Sequence, residues 1–165
     1  MKKIGLFYGS TTGNTESVAN MIAEKLGVAA EDVSKMTADK VNECDALVLG
    51  TSTWGAGELQ DDWYDGVKLL KGLDLKGKTI ALFGLGDADS YSDTFCDGMG
   101  VIYEDLKDSG CQFIGQTSTD GYTFDSSISV VDGKFVGLAI DETNESDKTE
   151  ERVDAWVEQL KSQLD

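Results

Sequence analysis

Short, continuous apolar runs punctuate the chain at Ile4–Tyr8, Ala46–Thr51 and Thr79–Gly84. Runs of that length with no polar alternation are the mark of strands buried on both faces. Between them the apolar positions change period. Val18, Ile22 and Leu26 recur at i, i+4 and i+8 with Ala19 and Ala23 beside them, which predicts a helix from Thr15 to Leu26 stopped by Gly27. The same spacing predicts a helix over Gln60–Leu70 (Trp63, Val67, Leu70) and another over Thr94–Asp108 (Phe95, Met99, Ile102, Leu106). A last helix buries Val153, Trp156, Val157, Leu160 and Leu164, with Asp147 and Glu150 placed to form a capping box. Weaker signals predict an edge strand over Glu31–Met36 and a polar connector of about one helical turn over Asp39–Cys44. Cys111–Ile114 starts a further strand that Leu138–Ile140 resumes. The intervening 117–137 segment is hairpin-like, with Asp120-Gly121 and Asp132-Gly133 turn signals around the alternating Ile128-Ser129-Val130-Val131. Strands alternating with helices predict one α/β domain, a parallel sheet with helices on both faces and right-handed connections. No repeat, linker or low-complexity tract interrupts it.

Three of the strong strands end in chemically unusual loops, and ligands of open α/β sheets bind outside the carboxyl ends of the strands. The first loop, Ser10-Thr11-Thr12-Gly13-Asn14-Thr15, is rich in hydroxyls and glycine, has no Lys or Arg, and opens a helix. A helix start offers unpaired N–H groups and a partial positive charge, glycine lets main chain approach closely, and hydroxyls add donors. Together they suit a phosphate held by neutral donors, as in a bound cofactor, better than a nucleoside triphosphate. The plain alternative is a polar turn with a helix cap. The second loop carries Ser52, Thr53 and Trp54 before Gly55-Ala56-Gly57, and the third carries Leu85-Gly86-Asp87 and then Tyr91. Two aromatics on facing loops can sandwich a flat ring. Taken alone, Trp54 is equally readable as a lid on the sheet end and Tyr91 as a surface residue. Trp63 and Trp156 fall in helical stripes and belong to the core. Cys96 follows the third loop, where its main chain can touch the ring edge. Phosphate at one end and a flat ring at the other describe a flavin mononucleotide, FMN.

Charge and composition narrow the partners. The 165 residues carry 14 basic and 31 acidic side chains, a net charge of −17, and no histidine. Nucleic acid and anionic membranes are disfavoured as partners and basic protein patches favoured, although a solvated acidic surface explains much of the charge whatever the function. Three scattered cysteines, Cys44, Cys96 and Cys111, give neither a disulfide framework nor metal-ligand spacing. No apolar run approaches transmembrane length, and the run after Met1-Lys2-Lys3 is too short for a secretory leader. A reducing, cytoplasmic setting is expected.

Along its whole length the chain resembles the flavodoxins, in particular their long-chain branch. The phosphate loop is similar to a [ST]-x-T-G-x-T pattern. Thr51-Ser52-Thr53-Trp54 is similar to T-P-T-W, with Ser52 where proline is usual. Gly86-Asp87-Ala88-Asp89-Ser90-Tyr91 is similar to G-D-x-x-x-Y, and the segment splitting the last strand looks like the long-chain hallmark. The resemblance implies a three-layer sandwich around a five-stranded parallel sheet of order 2-1-3-4-5. It also implies non-covalent FMN and low-potential one-electron transfer through a neutral semiquinone and an anionic hydroquinone. The partners implied are flavodoxin/ferredoxin reductases and low-potential oxidoreductases presenting basic patches, met by a monomer that is a carrier, not an enzyme. By position, Ser10 to Thr15 hold the phosphate and Trp54 and Tyr91 flank the ring. Ser52, Thr53, Gly55, Ala56, Gly57, Leu85, Gly86 and Asp87 surround ring and ribityl chain, and Asp147 lies toward the ribityl–phosphate end.

Two expectations about mechanism follow. The Gly55–Ala56 peptide is placed to turn its C=O toward flavin N5 once that atom is protonated, a flip that glycine permits at low cost. Carboxylates around the loops (Glu58, Asp61, Asp62, Asp65, Asp87, Asp89, Asp93 and Asp97) would hold the second reduction at low potential and steer basic partners. Other classes fit less well. The first loop lacks the lysine of a nucleotide-hydrolase P-loop. Gly84-Leu85-Gly86 reaches Asp89 where a dinucleotide fingerprint needs glycine, and Tyr8-Gly9-Ser10 lacks the acidic cluster of a phosphorylation receiver. A small quinone-reductase flavoenzyme on the same fold is the serious alternative, and needs an open substrate cavity over the ring.

Overall fold

The computed structural model describes residues 3–9, 13–54 and 58–164. The long strands are β1 (Ile4–Gly9), β3 (Ala46–Trp54) and β5 (Thr79–Leu85); β2 (Ala30–Asp32) is a three-residue edge strand, and short β4 (Glu58–Leu59) folds back antiparallel on the end of β3. The final strand is split into β6 (Gln112–Ile114) and β10 (Leu138–Ile140), both parallel to β5: Gln112–Ile114 register on Thr79–Ala81, and Leu138–Ile140 on Phe83–Leu85. The order across the sheet is β10-β5-β3-β1-β2. Numbering the split strand as one gives 2-1-3-4-5, with the direction of winding reversing between β1 and β3.

Side-chain alternation along buried strands divides the core into two layers. Leu6, Tyr8, Val48, Ala81 and Phe83 face α1 (Asn14–Leu26) and α5 (Thr149–Leu164), meeting Val18, Ile22, Val153, Trp156 and Leu160. Phe7, Leu47, Leu49, Ile80 and Leu82 face the other way, onto Trp63 and Leu70 of α3 (Asp62–Lys71) and Met99, Ile102 and Leu106 of α4 (Asp97–Leu106). Both helical-stripe tryptophans are buried, and each indole N–H donates to main chain: Trp63 to Gly50 O at 2.7 Å, Trp156 to Gly115 O at 2.8 Å.

Between the halves of the split strand, β7 (Thr117–Ser118), β8 (Val130–Val131) and β9 (Lys134–Phe135) form a small antiparallel sheet. Its Asp132-Gly133 turn has both residues at positive φ, 55° and 82°, the mirror-image turn that the right-handed twist of a hairpin prefers. Phe135, Phe124 and Tyr122 pack on Phe95 at the start of the α4 region. The chain rejoins the sheet through Gly137, where a Cβ would lie 1.9 Å from Leu82 O.

Local differences from the sequence pattern have physical causes. The Glu31–Met36 signal resolves into β2 and a 3-10 turn, Val33–Lys35, because Asp32 turns its carboxylate onto the Ser34 N–H. The polar connector is the short α2 (Ala38–Asn42), N-capped by the Thr37 hydroxyl. Helix α4 starts at Asp97, not Thr94, since Cys96 adopts φ 54°. The Asp147–Glu150 capping box does not form: Asp147 sits inside a 3-10 turn, Ser146–Lys148, that runs into α5.

Candidate functional site

Strands β1, β3, β5 and β10 end side by side, and a cleft of about 280 Å³ crosses their carboxyl edge. Asn14 lines it from the start of α1, Ser52 and Thr53 from the end of β3, and Leu85, Gly86, Asp87, Tyr91 and Thr94 from the stretch after β5. Glu142 and Thr143 line it from the turn after β10. The cleft thus touches the point where the winding reverses, the place such sheets bind ligands.

At the first loop, Gly13 takes φ 94° at the N-cap of α1, and among the described residues no side chain caps the helix. The first helical bond is Ser17 N–H to Gly13 O, at 3.0 Å. The N–H groups of Asn14, Thr15 and Glu16 therefore precede the ladder and carry the positive end of the helix dipole. The Thr15 hydroxyl is buried and has no hydrogen-bond partner among the described residues. An orphaned hydroxyl in the first turn of an uncapped helix is what a phosphate-binding nest leaves without its anion. Tyr8 braces this turn by donating to Glu16 at 2.8 Å, and burial together with that carboxylate pushes its phenol up to about 12. Ser10, Thr11 and Thr12 lie outside the described residues.

At the second loop, Thr53 Oγ1 accepts the Gly98 N–H at 2.9 Å, tying the end of β3 to α4. The main chain of Trp54 belongs to β3, while its side chain, with Gly55, Ala56 and Gly57, lies outside the described residues.

The third loop presents Tyr91 on the cleft, 52% exposed. Asp87 Oδ1 accepts the N–H groups of Ser90 (2.9 Å) and Asp89 (3.1 Å) and the Asn144 amide (2.8 Å). These donors, the Ser90 N–H foremost, hold its carboxyl below its ordinary value. Cys96 is fully buried, and its thiol points at Gly84 O and Ile140 O behind the strand ends. Burial drives that thiol well above its usual range, and it does not line the cleft. Asp147 is exposed in its 3-10 turn and lies off the cleft lining.

Among the carboxylates expected around the loops, Asp61, Asp65, Asp89 and Asp93 are exposed. Asp97 is buried: it accepts the Ile128 N–H at 2.9 Å, and burial raises its carboxyl. It therefore braces the split-strand segment and adds nothing to the rim. The sequence pattern missed Thr94, Glu142 and Thr143. The last two follow directly on an apolar strand, at the same sheet edge as the three loops that were noticed, and that shared position was the available signal. Among the described residues there is no cluster of His, Cys, Asp or Glu placed to hold a metal ion, and no helix long and apolar enough to cross a membrane.

A doubly wound parallel sheet with an uncapped helix start and a cleft across its switch point defines an α/β protein of the flavodoxin-like architecture. The Flavodoxin family model matches residues 6–156. A flavodoxin of Nostoc sp. is 46% identical over 99% of this chain and 98% of its own length, and one of Helicobacter pylori is 47% identical over 98% of each. The flavodoxin of Fusobacterium nucleatum, in a crystal structure bound to flavin mononucleotide, superposes with a TM-score of 0.93 at 31% identity, covering 99% of both chains. The chain belongs to the flavodoxin family, proteins that carry electrons between redox partners.

Proposed function

We propose that this chain binds FMN non-covalently across the cleft and carries electrons singly, at low potential, between redox proteins. The observation that carries the reading is the buried Thr15 hydroxyl at the start of α1, which has no partner among the described residues. When bound, FMN would supply the redox chemistry, one electron at a time.

The protein's own part is binding, orientation and electrostatics. Thr15 and the first N–H groups of α1 meet the phosphate, with Ser10, Thr11, Thr12, Gly13 and Asn14 completing the nest. Neutral donors there leave most of the anion's charge in place. Ser52 and Thr53, with Gly55–Gly57, and the Leu85–Asp87 main chain border the ribityl chain and ring, while Tyr91 covers one ring face and Trp54 the other. The Gly55–Ala56 carbonyl is assigned to the proton at N5. Asp147 stands near the ribityl–phosphate end at most through its loop, and Cys96 contributes main chain alone. The exposed Asp61, Asp65, Asp89 and Asp93 disfavour added negative charge on the ring and draw basic patches on reductases and low-potential oxidoreductases. The protein acts as one FMN-binding domain, a cytoplasmic monomer.

Anaerobic reductive titration of the FMN-loaded protein, followed by visible absorbance, tests this. Accumulation of a blue half-reduced species is expected. Bleaching in one two-electron step would favour a flavoenzyme on the same fold, and failure to take up FMN would return the loop after β1 to an ordinary turn.

A further inference from the structure

The ring side of the cleft is bounded by two chain segments that leave the sheet together. Strands β5 and β10 register Leu85 against Ile140, and the Gly86 N–H donates to Ile140 O at 3.0 Å. Past that bond the sheet ends. One segment continues as Asp87–Tyr91 and the other as Asp141–Asn144.

What joins them beyond the sheet is a pair of side chains outside the cleft lining. Asp141 is fully buried, and its carboxylate accepts the Ala88 N–H at 3.1 Å and the Asn144 N–H at 3.0 Å. The Asn144 amide donates to Asp141 Oδ2 at 2.9 Å and to Asp87 Oδ1 at 2.8 Å. One carboxamide thus bridges two carboxylates 54 residues apart in the chain, counted from Asp87 to Asp141. Burying a carboxylate beside another acid, in a chain of net charge −17, is a costly way to make a merely structural clasp. The cost is understandable where a turn must be fixed in one geometry, because charge-assisted bonds to several N–H groups are strong and directional.

We propose that Asp141 and Asn144 are positioning residues for the cofactor: they fix the Asp87–Tyr91 turn so that Gly86, Asp87 and Tyr91 present a preformed wall to the flavin ring. The inference rests on the reading of this cleft as the FMN site. It places the effect at the ring and not at the phosphate, because the tie sits beyond β5 and β10 whereas the anion nest follows β1.

Asn144→Ala removes the bridge from an exposed loop residue without opening the core. Binding of FMN and of riboflavin, which lacks the phosphate, is measured by quenching of flavin fluorescence, and the melting temperature of each apoprotein alongside. Both flavins are expected to bind roughly tenfold more weakly, the size of one charge-assisted hydrogen bond, with the apoprotein melting within about 2 °C of wild type. Asp141→Asn, which keeps an acceptor but loses the charge, is expected to fall between wild type and Asn144→Ala. Unchanged affinity for both flavins overturns the proposal. So does a loss confined to FMN, or one that follows an equal drop in apoprotein stability. If wild type binds neither flavin, the assignment of the cleft fails and takes this inference with it; if wild type binds both and Asn144→Ala binds them equally well, the inference alone fails.

Discussion

The two ends of the cleft are built on opposite plans. At the α1 end the features proposed to meet an anion lie within a few consecutive residues: a left-handed glycine, a helix start and a buried hydroxyl with no partner among the described residues. At the other end the wall is assembled from segments far apart in sequence, held by Asp87, Asp141 and Asn144. The first plan depends on local backbone conformation and the second on long-range side-chain bonds. A charged group with few shape demands is served by a local turn, whereas a flat ring needs surfaces from several directions.

Breaking the local plan should have the largest effect. Gly13 has φ 94° and, among the described residues, nothing within 4 Å of the position a Cβ would take, so a substitution there meets backbone strain. Gly13→Val puts a β-branched residue in the left-handed region, at a cost of about 2 kcal/mol or more. FMN affinity should fall by roughly thirtyfold, while riboflavin affinity, read by the same fluorescence assay, stays within about threefold. Equal losses for both flavins would merge the two ends into one. Next in size is Thr15→Val, which keeps the shape and removes the hydroxyl. FMN affinity should drop about tenfold, yet the apoprotein should melt no lower than wild type, because a buried unsatisfied group has gone. Calorimetry showing a less stable apoprotein would give that hydroxyl a structural role.

The ring end offers smaller, sharper tests. Asp89 is exposed on the turn that carries Tyr91. One carboxylate about 10 Å from the ring, at an effective dielectric of about 40, is worth roughly 0.8 kcal/mol, or about 35 mV for one electron. Asp89→Asn should raise the second reduction potential by up to that amount in a spectroelectrochemical titration at low salt, and by less as salt is added. The smallest effect is on pH. The carboxyl of Asp87 is held below its ordinary value, so its contribution to the tied turn is complete above that value and is lost as pH falls through the lowered one. Riboflavin affinity should hold through the usual carboxylate range and decline about twofold below it. In Asn144→Ala, with one donor to Asp87 removed, the decline should begin at higher pH.

The same contrast explains what the sequence made legible. The parallel sheet and the core helices follow from apolar period, while the strand order comes from the family resemblance alone, and Val18, Ile22, Trp63 and Trp156 lie where that period puts them. The loop proposed for the anion is contiguous, so hydroxyls and glycines at one strand end suffice to suggest it. Asp141, Glu142 and Asn144 gave no such notice. Their meaning depends on β10 ending beside β5, and a short polar stretch after an apolar strand reads as an ordinary exit loop. Asp97 misled for a related reason: an acidic residue at a helix start normally faces water, and here the Ile128 segment packs on α4 and donates its N–H to that carboxylate.

The split last strand has a practical consequence. Strand β5 is paired along its length by two different pieces of chain, so both ends of the excursion between Ile114 and Leu138 are anchored to the sheet. Within it, the tip around Asp120-Gly121 is exposed and turns through Gly121 at φ 86°. A peptide epitope or a dye-bearing cysteine grafted there would leave the register of the sheet alone, so this tip can serve as a handle for immobilising the protein on an electrode.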